Sequence, residues 1–113
     1  MADVIAAVPD LFFRSKVLET AKALSVNLEV ARDADELLQK VRAEKPRLIL
    51  MDLQAEALRP LDTIVSLQGI PVIGFLAHEQ TDLREQALAA GCGEVLTKGQ
   101  FSASLPSILS RVL

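Results

Sequence analysis

The sequence predicts an α/β fold in which helices cover both faces of a parallel five-stranded sheet. Short apolar runs, typical of strands buried on both faces, alternate along the 113-residue chain with longer amphipathic segments. Right-handed crossovers between parallel strands leave few topologies, and the strand order 2-1-3-4-5 is the common one at this size. We therefore predict one domain, residues 1–113, built as a flavodoxin-like three-layer sandwich with five helices.

The first half of the chain supplies three strands and two helices. Asp10 is a candidate N-cap for a helix over residues 11–24, and Asp33 is one for a second helix that Pro46 stops. Glu36 follows Asp33 at the spacing of a capping box. The strands are predicted at residues 4–8, 27–31 and 48–52.

The second half supplies two more strands and three helices. A helix begins at Pro60, and the next is predicted over residues 82–90, with Asp82 and Glu85 spaced as a capping box. The last helix is predicted over residues 102–113, which places Pro106 in its first turn, where proline is tolerated. The two strands are predicted at residues 71–76 and 94–97.

Composition narrows the class of protein. Hydrophobic residues make up 50% of the chain, but tryptophan and tyrosine are absent and phenylalanine occurs four times, which predicts an aliphatic core. The net charge of −3 argues against nucleic-acid binding, and a single cysteine excludes an internal disulfide. No apolar run approaches the roughly 20 residues that span a bilayer. We therefore expect a small soluble cytoplasmic domain without a targeting peptide.

Asp52 is the best-placed functional residue. It ends the apolar run Leu48–Asp52, which is predicted to be the central strand. In an open α/β sheet, ligands gather at the carboxyl ends of the strands, and in the order 2-1-3-4-5 the crevice lies between strands one and three. Asp52 is thus predicted to stand at the lip of that crevice.

Three stretches make the chain resemble a response-regulator receiver domain, which accepts a phosphoryl group from a histidine kinase in two-component signalling. The resemblance covers essentially the whole chain and implies that Asp52 is the phospho-acceptor position and Lys98 the phosphate-contact position. Its carriers are Leu-Ile-Leu-Met-Asp-Leu at 48–53, Ile-Pro-Val-Ile at 70–73, and Ala-Ala-Gly-Cys-Gly-Glu-Val-Leu-Thr-Lys at 89–98.

The chain departs from the family pattern at the positions that make such a domain work. The acidic pair that helps hold Mg²⁺ falls at Val8 and Pro9, which have no ligating side chains. Asp10 is a possible displaced acid, although an N-cap is the favoured interpretation. The family's phosphate-binding hydroxyl falls at Leu76 and its switch aromatic at Val95. No metal site or cofactor is therefore expected, and Mg²⁺ enters only if Asp52 is phosphorylated.

Three interpretations remain open. The favoured one is an atypical, degenerate receiver that is not an enzyme and serves as a phosphorylation-independent interaction module, with an Asp52–Lys98 ion pair at the crevice. The second is a working phospho-acceptor that uses Asp52, Lys98 and Asp10 with Mg²⁺. The third is a flavodoxin-like domain for a small ligand or nucleotide, although no glycine-rich loop follows the first strand.

The resemblance also implies the kind of partner. Receivers contact effectors or dimerise through the face made by the fourth helix, fifth strand and fifth helix. Signalling proteins, either a histidine kinase or an effector, are therefore the expected partners, and a homodimer is possible. Neither nucleic acid nor a membrane is expected to bind.

Overall fold

The computed structural model describes residues 2–113 and confirms the predicted α/β architecture. Its five parallel strands lie in the order β2-β1-β3-β4-β5. The strands are β1 (Val4–Ala7), β2 (Leu28–Ala31), β3 (Leu48–Asp52), β4 (Val72–Leu76) and β5 (Glu94–Thr97). The helices are α1 (Leu11–Ala23), α2 (Ala34–Glu44), α3 (Pro60–Ser66), α4 (Thr81–Ala90) and α5 (Lys98–Ser110), with a short 3₁₀ turn at Glu56–Leu58.

Strand β1 pairs with β3 in register from Val4–Leu48 to Ala7–Met51. The predicted first strand ran one residue further, to Val8, which in the structure follows the strand. The two chain segments that leave β1 and β3 therefore start side by side at one end of the sheet. This end contains the crevice in which the sequence placed Asp52.

Side chains alternate across the sheet and fill two separate hydrophobic clusters. In β1, Val4 and Ala6 face the cluster that α1 and α5 cover, whereas Ile5 and Ala7 face the opposite cluster. The cluster under α1 and α5 also contains Phe75, and it is not purely aliphatic as predicted. The Phe75 ring stacks on two other phenylalanines, at centroid distances of 5.3 Å to Phe13 and 4.4 Å to Phe101.

Two predicted helix caps are confirmed. Asp10 Oδ1 accepts from the Phe13 amide at 3.1 Å, and Asp33 Oδ1 accepts from the Glu36 amide at 2.8 Å. In the predicted capping box, the Glu36 carboxylate would accept from the amide of the N-cap residue, Asp33. It accepts instead from the amide of the preceding residue, Arg32, at 2.7 Å. Both helices start where a side-chain oxygen satisfies a backbone donor that the first turn leaves open.

The starts of the last two helices were predicted wrongly. Helix α4 begins at Thr81 and its N-cap makes no side-chain hydrogen bond, so Asp82 does not cap it. Helix α5 begins at Lys98, four residues earlier than predicted, because Thr97 and Gln100 form a capping box. Pro106 therefore lies inside α5 instead of in its first turn.

Among residues 2–113, none of the helices combines the length and hydropathy that crossing a membrane requires.

Candidate functional site

Asp52 is the last residue of β3, at the carboxyl end of the sheet, and its side chain is half-buried. Its Oδ1 atom accepts a hydrogen bond from the Gln54 amide at 2.9 Å. Burial raises the pKa of the Asp52 carboxyl above its ordinary value, because desolvation disfavours the charged form. The Gln54 hydrogen bond and the charge of Lys98 act against this rise, and the charge of Asp10 adds to it.

The side chain of Gln54 ties the loop after β3 to the next strand. Its Oε1 atom accepts from the Ala77 amide, just beyond β4, at 2.8 Å. Gln54 thus connects the loop to two strands, because its amide donates to Asp52 and its side chain accepts from the Ala77 amide. Nothing in the sequence predicts this role, since a single glutamine in a polar loop forms no recognisable pattern.

Lys98 stands at the first position of α5 and does not pair with Asp52. Its Nζ atom lies over the Phe13 ring, 5.8 Å from the centroid, within the range of a cation–π contact. None of the ion pairs in the described part of the chain contains Lys98 or Asp52. The prediction of an Asp52–Lys98 ion pair is therefore wrong. The lysine charge still lowers the pKa of Asp52 through space.

The end of β1 carries no acidic pair. Val8 is fully buried in the cluster under α1 and α5. Pro9 offers only its carbonyl, which accepts from the Arg14 guanidinium at 3.3 Å. Asp10, the possible displaced acid, is exposed and caps α1.

These side chains do not fit the magnesium site that the resemblance implies. Such a site needs an acidic pair beside Asp52, and the positions of the pair hold a buried aliphatic side chain and a proline. Across residues 2–113, no three histidine, cysteine, aspartate or glutamate side chains are grouped so that they could hold a metal ion.

The other two departures lie in the hydrophobic cluster on the opposite side of the sheet. Leu76, at the position of the family's hydroxyl residue, is 1% exposed and offers no donor. Val95, at the position of the switch aromatic, is also buried, and its carbonyl accepts from the Arg84 guanidinium at 3.0 Å. Both residues serve packing in this structure.

Solved structures of receiver domains match this chain over its whole length. The receiver domain of NtrX from Brucella abortus is 20% identical, with a TM-score of 0.84 and coverage of 98% of each chain. CheY4 of Vibrio cholerae is 21% identical at a TM-score of 0.84, covering 100% of this chain and 99% of that one. A response regulator from Hahella chejuensis is 17% identical at a TM-score of 0.87, covering 100% of this chain and 96% of that one.

The chain therefore has the receiver-domain fold of two-component response regulators. It spans 27% of a longer NtrX structure from Brucella abortus. No protein-family model and no curated protein sequence matches the chain. Identities of 17–21% support the fold, and function has to be argued from the residues of the site.

Proposed function

We propose that this chain is an atypical receiver domain that acts as a protein-interaction module in two-component signalling, without phosphorylation of Asp52. In this proposal it catalyses no reaction and works in the cytoplasm. The observation that carries the proposal is the end of β1, where a buried Val8 and a proline replace the acidic pair. Phosphoryl transfer to an aspartate depends on charge neutralisation, and a site without metal ligands lacks the main source of it.

The surroundings of Asp52 support the same conclusion. Lys98 is engaged with the Phe13 ring instead of the carboxylate. Leu76 offers no hydroxyl to a phosphoryl group, so nothing at the end of β4 would pull on such a group and move the adjacent loop. Gln54 already fixes that loop through Ala77. A domain of this kind presents one surface to its partner at all times.

Signalling proteins are the proposed partners, and the face formed by α4, β5 and α5 is the proposed contact surface. Strand β5 lies at the edge of the sheet, between α4 and α5 in the chain. Leu88 projects from α4 with 45% of its surface exposed. The exposed Arg111–Glu94 ion pair joins the end of α5 to β5.

A working phospho-acceptor is the second candidate, and one observation favours it. The charge of Asp10 adds to the rise in the pKa of Asp52, so the Asp10 carboxylate acts on Asp52 through space. Two carboxylates together with water and a phosphoryl oxygen are a minimal set of ligands for Mg²⁺. In this case Asp10 would have to leave the Phe13 amide that it now caps.

One experiment separates the two candidates. The protein and its Asp52→Asn variant are treated with acetyl phosphate or beryllofluoride in the presence of Mg²⁺, and amide NMR spectra and intact masses are recorded. A receiver with a complete acidic pair, treated in parallel, serves as the positive control. We expect neither a phosphoryl adduct nor a saturable shift of the amides around Asp52.

A saturable change centred on Asp52 and lost in Asp52→Asn would overturn the proposal in favour of phosphorylation. Nucleotide retained by the purified protein would instead favour the third interpretation, a ligand-binding domain. In the absence of both, binding of a kinase or effector that is unchanged by Asp52→Asn and weakened by Leu88→Ser supports the interaction module.

A further inference from the structure

Gly74 lies in the middle of β4 and leaves one side-chain position of the sheet empty. Its neighbours along the strand on the same face, Val72 and Leu76, belong to the hydrophobic cluster on the side of the sheet away from α1 and α5. Its cross-strand partners, Met51 on β3 and Val95 on β5, belong to the same cluster. Glycine weakens the interior of a strand and often marks a place where another group approaches closely.

The side chain of Leu53 fills the position that Gly74 leaves empty. Leu53 is the first residue after β3, and its amide donates to the Phe75 carbonyl at 3.0 Å. A Cβ atom on Gly74 would lie 2.7 Å from the Cγ and Cδ1 atoms of Leu53 and 2.8 Å from its Cδ2 atom. Carbon atoms pack at roughly 3.5–4.0 Å, so the leucine occupies the space that a side chain at position 74 would need.

Leu53 has little freedom to move out of this position. It is 2% exposed and lies in the same hydrophobic cluster as Leu76 and Val95. Rotation about its Cβ–Cγ bond moves the two methyl groups but leaves Cγ in place, and rotation about its Cα–Cβ bond drives the side chain into a packed core. A side chain at position 74 would therefore displace the leucine together with its backbone.

Gln54 makes a second contact between this loop and β4. Its Oε1 atom accepts from the Ala77 amide at the exposed end of the strand, and its own amide donates to Asp52 Oδ1. Leu53 and Gln54 thus hold the loop after β3, residues 53–55, against the middle and the end of β4. The leucine contact is buried and apolar, so it contributes more to this attachment than the exposed hydrogen bond does.

We propose that Leu53 and Gly74 form a latch that holds the loop after β3 in one position beside Asp52. The loop moves only when Leu53 leaves Gly74, which exposes a buried leucine side chain to water. This cost keeps the released form below roughly 10% of the molecules. Gly74 is thus a positioning residue that acts on Asp52 through the loop, whether or not Asp52 is phosphorylated.

Amide hydrogen exchange followed by NMR tests the latch in the Gly74→Ala variant. The amides of Leu53, Gln54 and Ala77 report on the loop, because each donates to a hydrogen bond that the loop makes. We expect exchange at these amides to speed up at least about tenfold, beyond any change in the slowest amides of β1, which report global unfolding.

Gly93→Ala is the matched control. A Cβ atom on Gly93 would have its closest contact at 3.5 Å, with the Val72 carbonyl oxygen, which is an ordinary van der Waals distance. The methyl group therefore fits at this position without moving the leucine. Exchange at the loop amides should stay within about twofold of the wild type in this variant.

Removing the leucine makes the test specific, and it decides the question if Gly74→Ala alone does not fold. In a chain that carries Leu53→Ala, position 74 has room for a methyl group. Adding Gly74→Ala to that chain should leave the melting temperature unchanged or raise it, because alanine suits a strand better than glycine. In the wild-type background the same change should lower the melting temperature by about 4 °C or more.

Unchanged exchange at the three loop amides in Gly74→Ala would overturn the proposal. An equal acceleration in Gly93→Ala would overturn it as well, since the effect would then not depend on the space that Leu53 fills. A loss of stability on Gly74→Ala that is the same with and without Leu53→Ala would show that the glycine acts independently of the leucine, and the latch would be rejected.

Discussion

Strands β1 and β3 lie side by side in register, yet their carboxyl ends have opposite chemistry. The last pair in the ladder is Ala7–Met51; the next residue is Val8 in one chain segment and Asp52 in the other. Val8 is fully buried among apolar side chains, whereas Asp52 is half-buried, and burial raises the pKa of its carboxyl. Equivalent positions on neighbouring strands thus carry a packing residue and an acid.

This difference separates what the fold requires from what chemistry requires. The sheet needs apolar side chains along both strands, and a valine at the end of β1 extends the core by one residue. A metal site needs oxygen ligands at that same place. The fold is therefore compatible with a core residue at the end of β1, although such a residue offers no ligand to a metal beside Asp52.

Placing an acid at the end of β1 is the most disruptive way to test the comparison. We expect Val8→Asp to lower the free energy of unfolding by about 3 kcal/mol or more at pH 7. The change removes buried apolar surface, and it puts a carboxylate without a counter-charge into the core near Asp52. Urea denaturation of the wild type and the variant measures the loss.

Val8→Asn is the matched control, since asparagine has nearly the same shape as aspartate but carries no charge. The difference between Val8→Asp and Val8→Asn should shrink as the pH falls, because a buried carboxyl has a raised pKa and becomes neutral. Equal stability of the two variants at pH 7 would show that position 8 accepts charge, and the contrast between the two strand ends would then fail.

The sequence predicted the fold well because the signals for it are repeated along the chain. Each buried strand is an apolar run, and Asp10 and Asp33 mark helix starts through local hydrogen bonds to the first turn. The errors lie where two local signals compete. Thr97 and Gln100 start α5 early, and an exposed proline within the helix did not prevent this.

The site was only partly predictable because its contacts join residues far apart in the chain. The positions of Asp52 and Lys98 could be predicted from the ends of their strands, but the ion pair that we expected between them does not form. The Lys98 ammonium lies over the Phe13 ring instead. From the sequence, Phe13 was predicted only as a core-facing residue of the first helix. Hydrogen bonds such as Gln54 to Ala77, which span 23 positions, have no sequence pattern at all.

Removing the cap at Asp10 tests the β1 side of the comparison with a smaller effect. Asp10→Ala should cost about 1 kcal/mol of stability through the lost bond to the Phe13 amide, and Asp10→Asn should cost much less. Both variants remove a negative charge that raises the pKa of Asp52, so both should lower that pKa. Chemical denaturation and NMR titration of the Asp52 carboxyl carbon measure the two effects.

The prediction fails if Asp10 caps α1 but its charge does not affect the pKa of Asp52. The stability of Asp10→Ala would fall as expected, while the titration of Asp52 would stay unchanged in both variants. The two carboxylates would then be independent, and the remaining support for a minimal magnesium site would be lost.

The smallest effect is expected on the β3 side, from Asp52→Asn. Because the pKa of Asp52 is raised in the folded protein, the folded state keeps its proton to higher pH than the unfolded chain does. Ionisation of Asp52 therefore costs stability, and this cost appears as the pH rises from the ordinary pKa through the raised one. At pH 7, Asp52→Asn should melt about 1–4 °C higher than the wild type.

Below about pH 3 the carboxyl is protonated in both states, and the difference in melting temperature should vanish. Glu19→Gln is the matched control, since it removes one negative charge at an exposed position in the middle of α1, away from both helix ends. An equal rise in this control would assign the effect to the net charge of −3 and not to the burial of Asp52. A rise confined to Asp52→Asn would show that the burial of the Asp52 carboxyl costs stability at the end of β3, where the neighbouring end of β1 offers no counter-charge.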